Sequence, residues 1–361
     1  MKVAVVIDTW FPAIGGGQIN AWEISKRLVK KGLNIDIITR NNGKYTTPKI
    51  KNLGAYQIGK KSEATDNISR ILFLIRSFFI LSKGDYDLIH LQAFFPGFLA
   101  PFIKIILKKP VIFTVHGTRM FEKNLGNSLG FILEKILLTR IKYDAQISVT
   151  KAFLKFKNVN QNKVYIPNGI DISKFEKVKV KKANYPKILW VGRFDPVKRV
   201  DILLQAMKII EKKLTEARLT LVGYGQEENK LKEIVKRLNL RNIDFVGMKE
   251  GEDLIREYKS SHVFVLTSVS EGQPISILEA IAARIPIVAS NIGGIPELIS
   301  NKIGILVPFG DSRILAEAIV SALARKDFSF TQSYQNLKRH HSWDMIAHKT
   351  LAAYNNLFNE T

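Results

Sequence analysis

Cysteine is missing from this 361-residue chain. Its absence rules out disulfides, thiolate nucleophiles and cysteine-based zinc sites, and it suits a reducing cytoplasm. Long apolar runs are missing too, since crossing a bilayer takes about 20 residues. The most apolar stretches, Ile71–Leu81 and Phe94–Leu107, are short, and Pro96, Gly97, Pro101 and Lys104 interrupt the second. No transmembrane helix is expected; core helices are the expectation for both stretches, with contact to a bilayer surface as the alternative. The opening residues MKVAVVID read as a strand rather than the start of a signal peptide. The six histidines show no metal-ligand spacing, His340 and His341 included, so no metal site is expected. Acidic residues are outnumbered, 32 Asp+Glu against 55 Lys+Arg, for a net charge of +23. The excess is +17 over residues 1–180 and +6 over 181–361. A basic half points to an anionic partner, either a membrane surface, a phosphorylated acceptor or a nucleic acid, although plain solubility accounts for it as well.

The hydrophobic content of 46% supports a folded chain, and its length calls for two domains. Both halves alternate short apolar strands with helical stretches, which predicts an α/β fold with parallel sheets. Strands are expected at 2–8, 33–39, 87–92, 111–116, 145–149 and 163–167, then at 187–192, 218–223, 243–247, 262–267, 286–290 and 303–307. Most are unbroken Val/Ile/Leu runs, as strands buried on both faces require. The Lys-rich stretch 168–186 reads as an exposed linker between domains 1–167 and 187–341.

Chemistry concentrates at predicted strand ends, where α/β sheets bind ligands. Glu271-Gly-Gln-Pro-Ile-Ser-Ile-Leu-Glu279 follows a strand and opens a helix, placing two carboxylates at a site suited to a ligand with hydroxyls. A helix-capping role is the alternative for Glu271. Gly192-Arg193-Phe-Asp-Pro-Val-Lys198 puts two cations at another strand end, a pair that suits a pyrophosphate. Gly15-Gly16-Gly17 follows the first strand and precedes a helix, with spacing that fits neither a dinucleotide fingerprint nor a P-loop. His116 ends a strand before Gly117, whereas His90, inside an apolar run, reads as structural.

Together with Asn291-Ile-Gly-Gly-Ile-Pro-Glu297 and Pro167-Asn-Gly-Ile-Asp171, these motifs resemble, in order and spacing over nearly the whole chain, the family-four retaining glycosyltransferases of the two-Rossmann-domain type. The resemblance implies two doubly wound Rossmann-like domains facing each other across a cleft (GT-B type). It implies retaining transfer of a sugar from a UDP- or GDP-linked donor to an acceptor hydroxyl, with no cofactor and no metal. Arg193 and Lys198 would bind the diphosphate, Glu271 the donor sugar and Glu279 the ribose. Gly272, Gln273, Pro274, Ile275 and Ser276 would line the sugar and phosphates, with Pro274 lacking an N–H to give. Gly16 and Gly17 would approach the donor from the first domain. His116 would stand near the transferred sugar, and the carbonyl and amide of Gly247-Met248 near the base. Gln273 and Arg284 depart from the family pattern, which commonly has an aromatic or aliphatic residue and a glycine there. A C-terminal helix, 342–361, would pack back on the first domain through Trp343, Ile346, Leu351, Ala352, Tyr354 and Leu357. The basic first domain would receive the acceptor, pointing to a lipid-linked or cell-surface glycan precursor and a cytoplasmic enzyme peripheral on the inner membrane face. A nucleotide-sugar epimerase would need a carboxylate pair on the first domain, which is not seen. A charge-driven nucleic-acid binder would need aromatics interleaved with basic residues, also not seen.

Overall fold

A computed structural model of the protein describes residues 1–11, 15–41, 49–59, 67–118 and 129–359. The chain forms two compact units, Met1–Asn168 with Trp343–Thr361, and Gly169–Ser342.

Unit 1 contains, in chain order, β1 (Lys2–Ile7), α1 (Gly16–Lys30), β2 (Asn34–Arg40), β3 (Leu53–Ile58), α2 (Asn67–Lys83) and β4 (Leu88–Gln92). A helical segment follows, made of a 3₁₀ turn (Phe95–Leu99), α3 (Ala100–Phe102) and a π turn (Ile103–Leu107) that Lys108 ends in the left-handed region. Then come β5 (Val111–Val115), α4 (Leu129–Thr139), β6 (Ala145–Ser148) and β7 (Lys163–Tyr165). The seven strands lie in the order β3-β2-β1-β4-β5-β6-β7, and every pairing is parallel. Strands β1, β4, β5 and β6 are buried almost throughout, as strands covered on both faces are, and they bury His90, Gln92, Thr114, Gln146 and Ser148 along with their apolar residues. The chain steps one way from β1 to β2 and the other way from β3 to β4, β5 and β6. Right-handed crossovers therefore put α1 on one face and α2, the 95–107 segment and α4 on the other. The core agrees: Phe73 and Leu81 of α2, Leu99 and Ile103, and Leu137 and Leu138 of α4 share one cluster with Val6, Leu91 and Phe113.

Unit 2 contains α5 (Ile172–Lys177), β8 (Lys187–Val191), α6 (Val200–Lys213), β9 (Arg218–Val222), α7 (Glu228–Arg237), β10 (Ile243–Phe245) and α8 (Gly251–Ser260). It continues with β11 (Val263–Leu266), α9 (Ile275–Ala283), β12 (Ile287–Ser290), β13 (Gly304–Val307), α10 (Ser312–Ala324) and α11 (Thr331–His340). Its parallel sheet runs β10-β9-β8-β11-β12-β13. Stretch 168–186 is not an exposed linker. Ile170, Ile172, Phe175 and Val178 sit in the core of unit 2 with Tyr258 and Ile281, because the lysines between them are spaced to face outward.

The chain then returns to unit 1 as α12 (Trp343–Asn359), which packs against α1. Its buried positions are Trp343, Ile346, Ala347, Thr350, Ala353 and Tyr354. The helical period selects these, so Ala352 is exposed and Leu351 and Leu357 are only partly covered, contrary to the sequence expectation. Tyr354 reaches His90 Nδ1 at 2.6 Å, and His90 Nε2 lies 2.7 Å from Thr114 Oγ1. Burial pushes the pKa of His90 down to about 3, so the ring is a neutral structural link between α12 and the sheet.

Candidate active site

In each sheet the strand order reverses beside the unit's first strand, and the crevice outside the carboxyl ends there is where open α/β sheets take ligands. In unit 1 that point lies between β1 and β4, and in unit 2 between β8 and β11.

In unit 2 the loop after β8 carries Arg193 and Lys198, and the loop after β11 carries Glu271. Two bonds stitch these loops together: Thr267 Oγ1 donates to the Lys198 carbonyl at 2.8 Å, and Val269 N donates to the Val197 carbonyl at 2.9 Å. Lys198 Nζ consequently stands 2.6 Å from Glu271 Oε1, which also accepts from Ser268 Oγ at 2.6 Å. Both side chains are largely buried, so the pair is held in place rather than sampled. Arg193 keeps a more exposed guanidinium, with Nη2 2.6 Å from Asp195 Oδ2. Asp195, Ser268 and Tyr258 were not expected from sequence. Asp195 lies two residues after Arg193 and Ser268 three before Glu271, so proximity alone could have flagged both.

Glycine is required at Gly293, where φ is +52°. A Cβ there would fall 2.0 Å from the Glu271 carbonyl oxygen, the same oxygen that accepts from Gly294 N at 3.2 Å. The 291–297 loop therefore buttresses the backbone of Glu271 directly. Gly223, at φ +137°, lets the neighbouring turn close on Gly192, whose oxygen would lie 1.8 Å from an added Cβ.

Helix α9 starts at Ile275 with Pro274 as its N-cap residue; the Pro274 carbonyl accepts from Ile277 N at 3.2 Å, whereas the amides of Ile275 and Ser276, at the very start of the helix, have no intrahelical acceptors. Gly272, Gln273 and Pro274 are buried beneath that turn. The helix is apolar on most sides. Ser276 and Glu279, three residues apart, share its partly open face. Glu279 Oε2 accepts from Tyr258 Oη of α8 at 2.8 Å, which leaves Oε1 for a ligand. Burial pushes the Glu279 pKa up to about 7, with the Tyr258 hydrogen bond opposing the shift. Met248 is exposed, whereas the Gly247 carbonyl already accepts from Gly223 N at 2.9 Å. Arg284 adopts φ +56° at the end of α9, where glycine is the easier residue, and its guanidinium stacks 4.2 Å from the Tyr334 ring.

In unit 1, Gly15 caps α1, and Gly16 and Gly17 form its first turn. A methyl group added at Gly17 would stand 3.4 Å from His116 Cδ2, so the imidazole lies against that turn. His116 Nε2 is 3.0 Å from Gln92 Oε1 at the end of β4. That oxygen only accepts, so Nε2 carries the proton and Nδ1 offers a lone pair. Nδ1 has no partner among the described residues. Burial lowers the pKa of His116 to about 4, so the ring is a neutral acceptor near pH 7. At the carboxyl ends of β1 and β2, buried Arg40 donates from Nε to the Asp8 carbonyl at 2.8 Å, and Arg70 Nε stands 3.9 Å from Asp8 Oδ2. Burial raises the Asp8 pKa against the pull of both arginines. Among the described residues no group of three His, Asp or Glu side chains is placed to hold a metal ion.

Two family models match consecutive parts of the chain, the glycosyltransferase family 4 model over residues 14–174 and the glycosyl transferases group 1 model over residues 171–340. The chain belongs to the group 1 glycosyltransferases. An uncharacterised glycosyltransferase of Methanocaldococcus jannaschii is 27% identical over 98% of both chains. The alpha-monoglucosyldiacylglycerol synthase of Streptococcus pneumoniae is 25% identical over 90% of this chain and 78% of its own. Anabaena HepE, solved in complex with UDP-glucose, shares the fold at a TM-score of 0.77, with 16% identity over 99% of this chain and 100% of that one. In the enzyme the two matched regions meet at 171–174, in the first residues of α5.

Proposed function

We propose that the enzyme transfers a sugar from a UDP- or GDP-linked donor to an acceptor hydroxyl, with retention of anomeric configuration and without a metal ion. The Lys198–Glu271 pair carries the reading. A cation and a carboxylate fixed 2.6 Å apart at a switch point suit the junction of a sugar with its diphosphate. Lys198, with Arg193, takes the diphosphate oxygens, whose charge grows as the anomeric C–O bond breaks. Glu271 accepts from hydroxyls of the sugar. Glu279 Oε1 accepts from the ribose, and the first-turn amides of α9 face the phosphates. His116 Nδ1 accepts from a hydroxyl of the transferred sugar. The acceptor oxygen attacks the anomeric carbon from the face the diphosphate leaves, and its proton passes to the departing phosphate oxygen. The UDP-glucose complex of HepE supports the donor class. The diacylglycerol named for the pneumococcal relative supports a lipid-linked acceptor.

A thermal-shift panel of UDP, GDP, ADP and their sugar conjugates, with and without EDTA, tests this, because a ligand that binds only the native state raises the melting temperature. The expected result is a selective shift with one nucleotide, unchanged by EDTA and lost in Glu279→Ala. No shift with any nucleotide, in protein shown to be folded, would overturn the reading. Proton NMR of the product tests retention through the anomeric coupling.

A further inference from the structure

Helix α2 carries apolar side chains on two opposite faces, whereas a surface helix ordinarily has one apolar face. One face is covered: Phe73, Ser77 and Leu81, four residues apart, are buried against the sheet. The opposite face carries Ile68, Ile71, Leu72, Ile75 and Phe79, all exposed, with Ile68 at 72%. At 100° per residue these five lie within a stripe about 100° wide running most of the helix's length. The 95–107 segment repeats the arrangement. Ile103 is buried beneath it, while Phe102, Ile105 (75% exposed) and Ile106 point outward. In α4, Leu137 and Leu138 face in, and Leu129 (72% exposed), Ile132 and Ile136 face out. All three segments rest on the same face of the sheet, so their outward sides form one layer. Eleven of the nineteen large apolar side chains exposed among the described residues belong to it, so this is a patch rather than scattered exposure.

The charges in the layer are of one sign. Residues 67–83, 94–110 and 129–142 hold nine Lys and Arg and a single acid, Glu134, which is buried. Arg76, Lys83, Lys108, Lys135 and Arg140 are exposed around the apolar stripes. Arg70, Lys104 and Lys109 pair with Asp8, Asp144 and Asp85, and two copies meeting through this face would set the remaining cations of one against those of the other. An anionic bilayer offers the opposite charge to the rim and hydrocarbon to the centre. We infer that this outer layer of unit 1, formed by α2, the 95–107 segment and α4, seats the enzyme on an anionic membrane surface without crossing it. None of its helices is long and apolar enough to span a bilayer. The layer extends to the carboxyl edge of the sheet, since Arg70 in the first turn of α2 reaches Asp8 just past the end of β1. A bilayer-resident acceptor would thus meet the His116 end of unit 1 directly.

Flotation with phosphatidylcholine vesicles, with and without phosphatidylglycerol, tests the surface without any donor, so its outcome is separable from that of the transfer reading. The wild-type enzyme is expected to partition onto phosphatidylglycerol vesicles at least about tenfold more than onto neutral ones, and less so as salt rises. The variant Ile71→Gln/Ile75→Gln/Phe79→Gln is expected to lose about tenfold or more of that binding. Arg76→Gln/Lys83→Gln is expected to lose the lipid preference while keeping weak binding. Circular dichroism and melting temperature identify any misfolded variant, and the charge variant reports separately from the apolar one. Absence of wild-type binding at low salt, or full binding by the folded apolar triple variant, would overturn the inference. So would a dimer in sedimentation that the triple variant converts to monomer while neither protein binds vesicles.

Discussion

Glu279 gives the proposed donor site a specific pH dependence. Its carboxyl is held near pKa 7 by burial, and only its ionised form accepts fully from ribose hydroxyls. Donor binding therefore competes with the proton on Glu279. At pH 5.5 only about 3% of the carboxyl is ionised, so donor affinity is expected to be about 30-fold weaker than at pH 8.5, level above about pH 8 and falling towards about tenfold per pH unit below 7. His116, with a pKa near 4, stays neutral over this range. Isothermal titration with the nucleotide-sugar conjugate checks the prediction, because its doubly substituted diphosphate does not titrate near neutrality. Glu279→Gln should bind more weakly at pH 8.5 and show a flat profile. Stability supplies a second readout. The folded carboxyl titrates near 7 and the unfolded one near 4.5, so the folded state holds the extra proton between those values. Stability from Glu279 is thus greatest at low pH and is lost as pH rises through 7, by about 3 kcal/mol at most. The Gln variant should melt several degrees higher than wild type at pH 8 and lose that advantage by pH 5. A flat wild-type binding profile, or the same slope in Glu279→Gln, would refute the argument.

Removing the Lys198 ammonium should lower turnover by about 100-fold or more in Lys198→Ala while leaving the fold intact, measured as kcat against melting temperature. Gly293→Ala places a Cβ in collision with the Glu271 carbonyl at a positive φ. It should cost more than about 1 kcal/mol and weaken donor binding, seen together in calorimetry and titration. Tyr354→Phe leaves His90 Nδ1 buried without its partner. It should destabilise unit 1 by about 1–3 kcal/mol, read as a lower transition for that unit in scanning calorimetry with unit 2 unaffected.

The strands buried on both faces were legible in the sequence because an unbroken Val/Ile/Leu run is a strong signal, and observed ends differ from expected ones by one or two residues. β3 was missed. It is an edge strand with the sequence LGAYQI, paired to one neighbour and half exposed, so nothing selects an apolar run. The placement of Glu271 before α9 and Glu279 within it followed from Pro274 and the apolar register. The partners of these groups did not, because Tyr258 and Glu279 meet across two helices whose packing no local pattern encodes. The 168–186 stretch misled for a related reason. Its lysines dominate the composition, while four apolar residues set its position. The same holds for α2, whose buried and outward faces are equally apolar, so only packing shows which side the sheet takes.

The helix α12 completes unit 1 only after the whole of unit 2 in sequence, with 174 residues intervening between Asn168 and Trp343. Unit 2 is continuous in sequence and can condense as soon as it leaves the ribosome. Unit 1, although made first, waits with the α1 surface uncovered and His90 lacking Tyr354 until α12 arrives. The order of synthesis and the order of completion are therefore reversed. The domain with the exposed apolar layer is the last to mature, and a nascent chain stalled within unit 2 would present that layer on an unfinished scaffold.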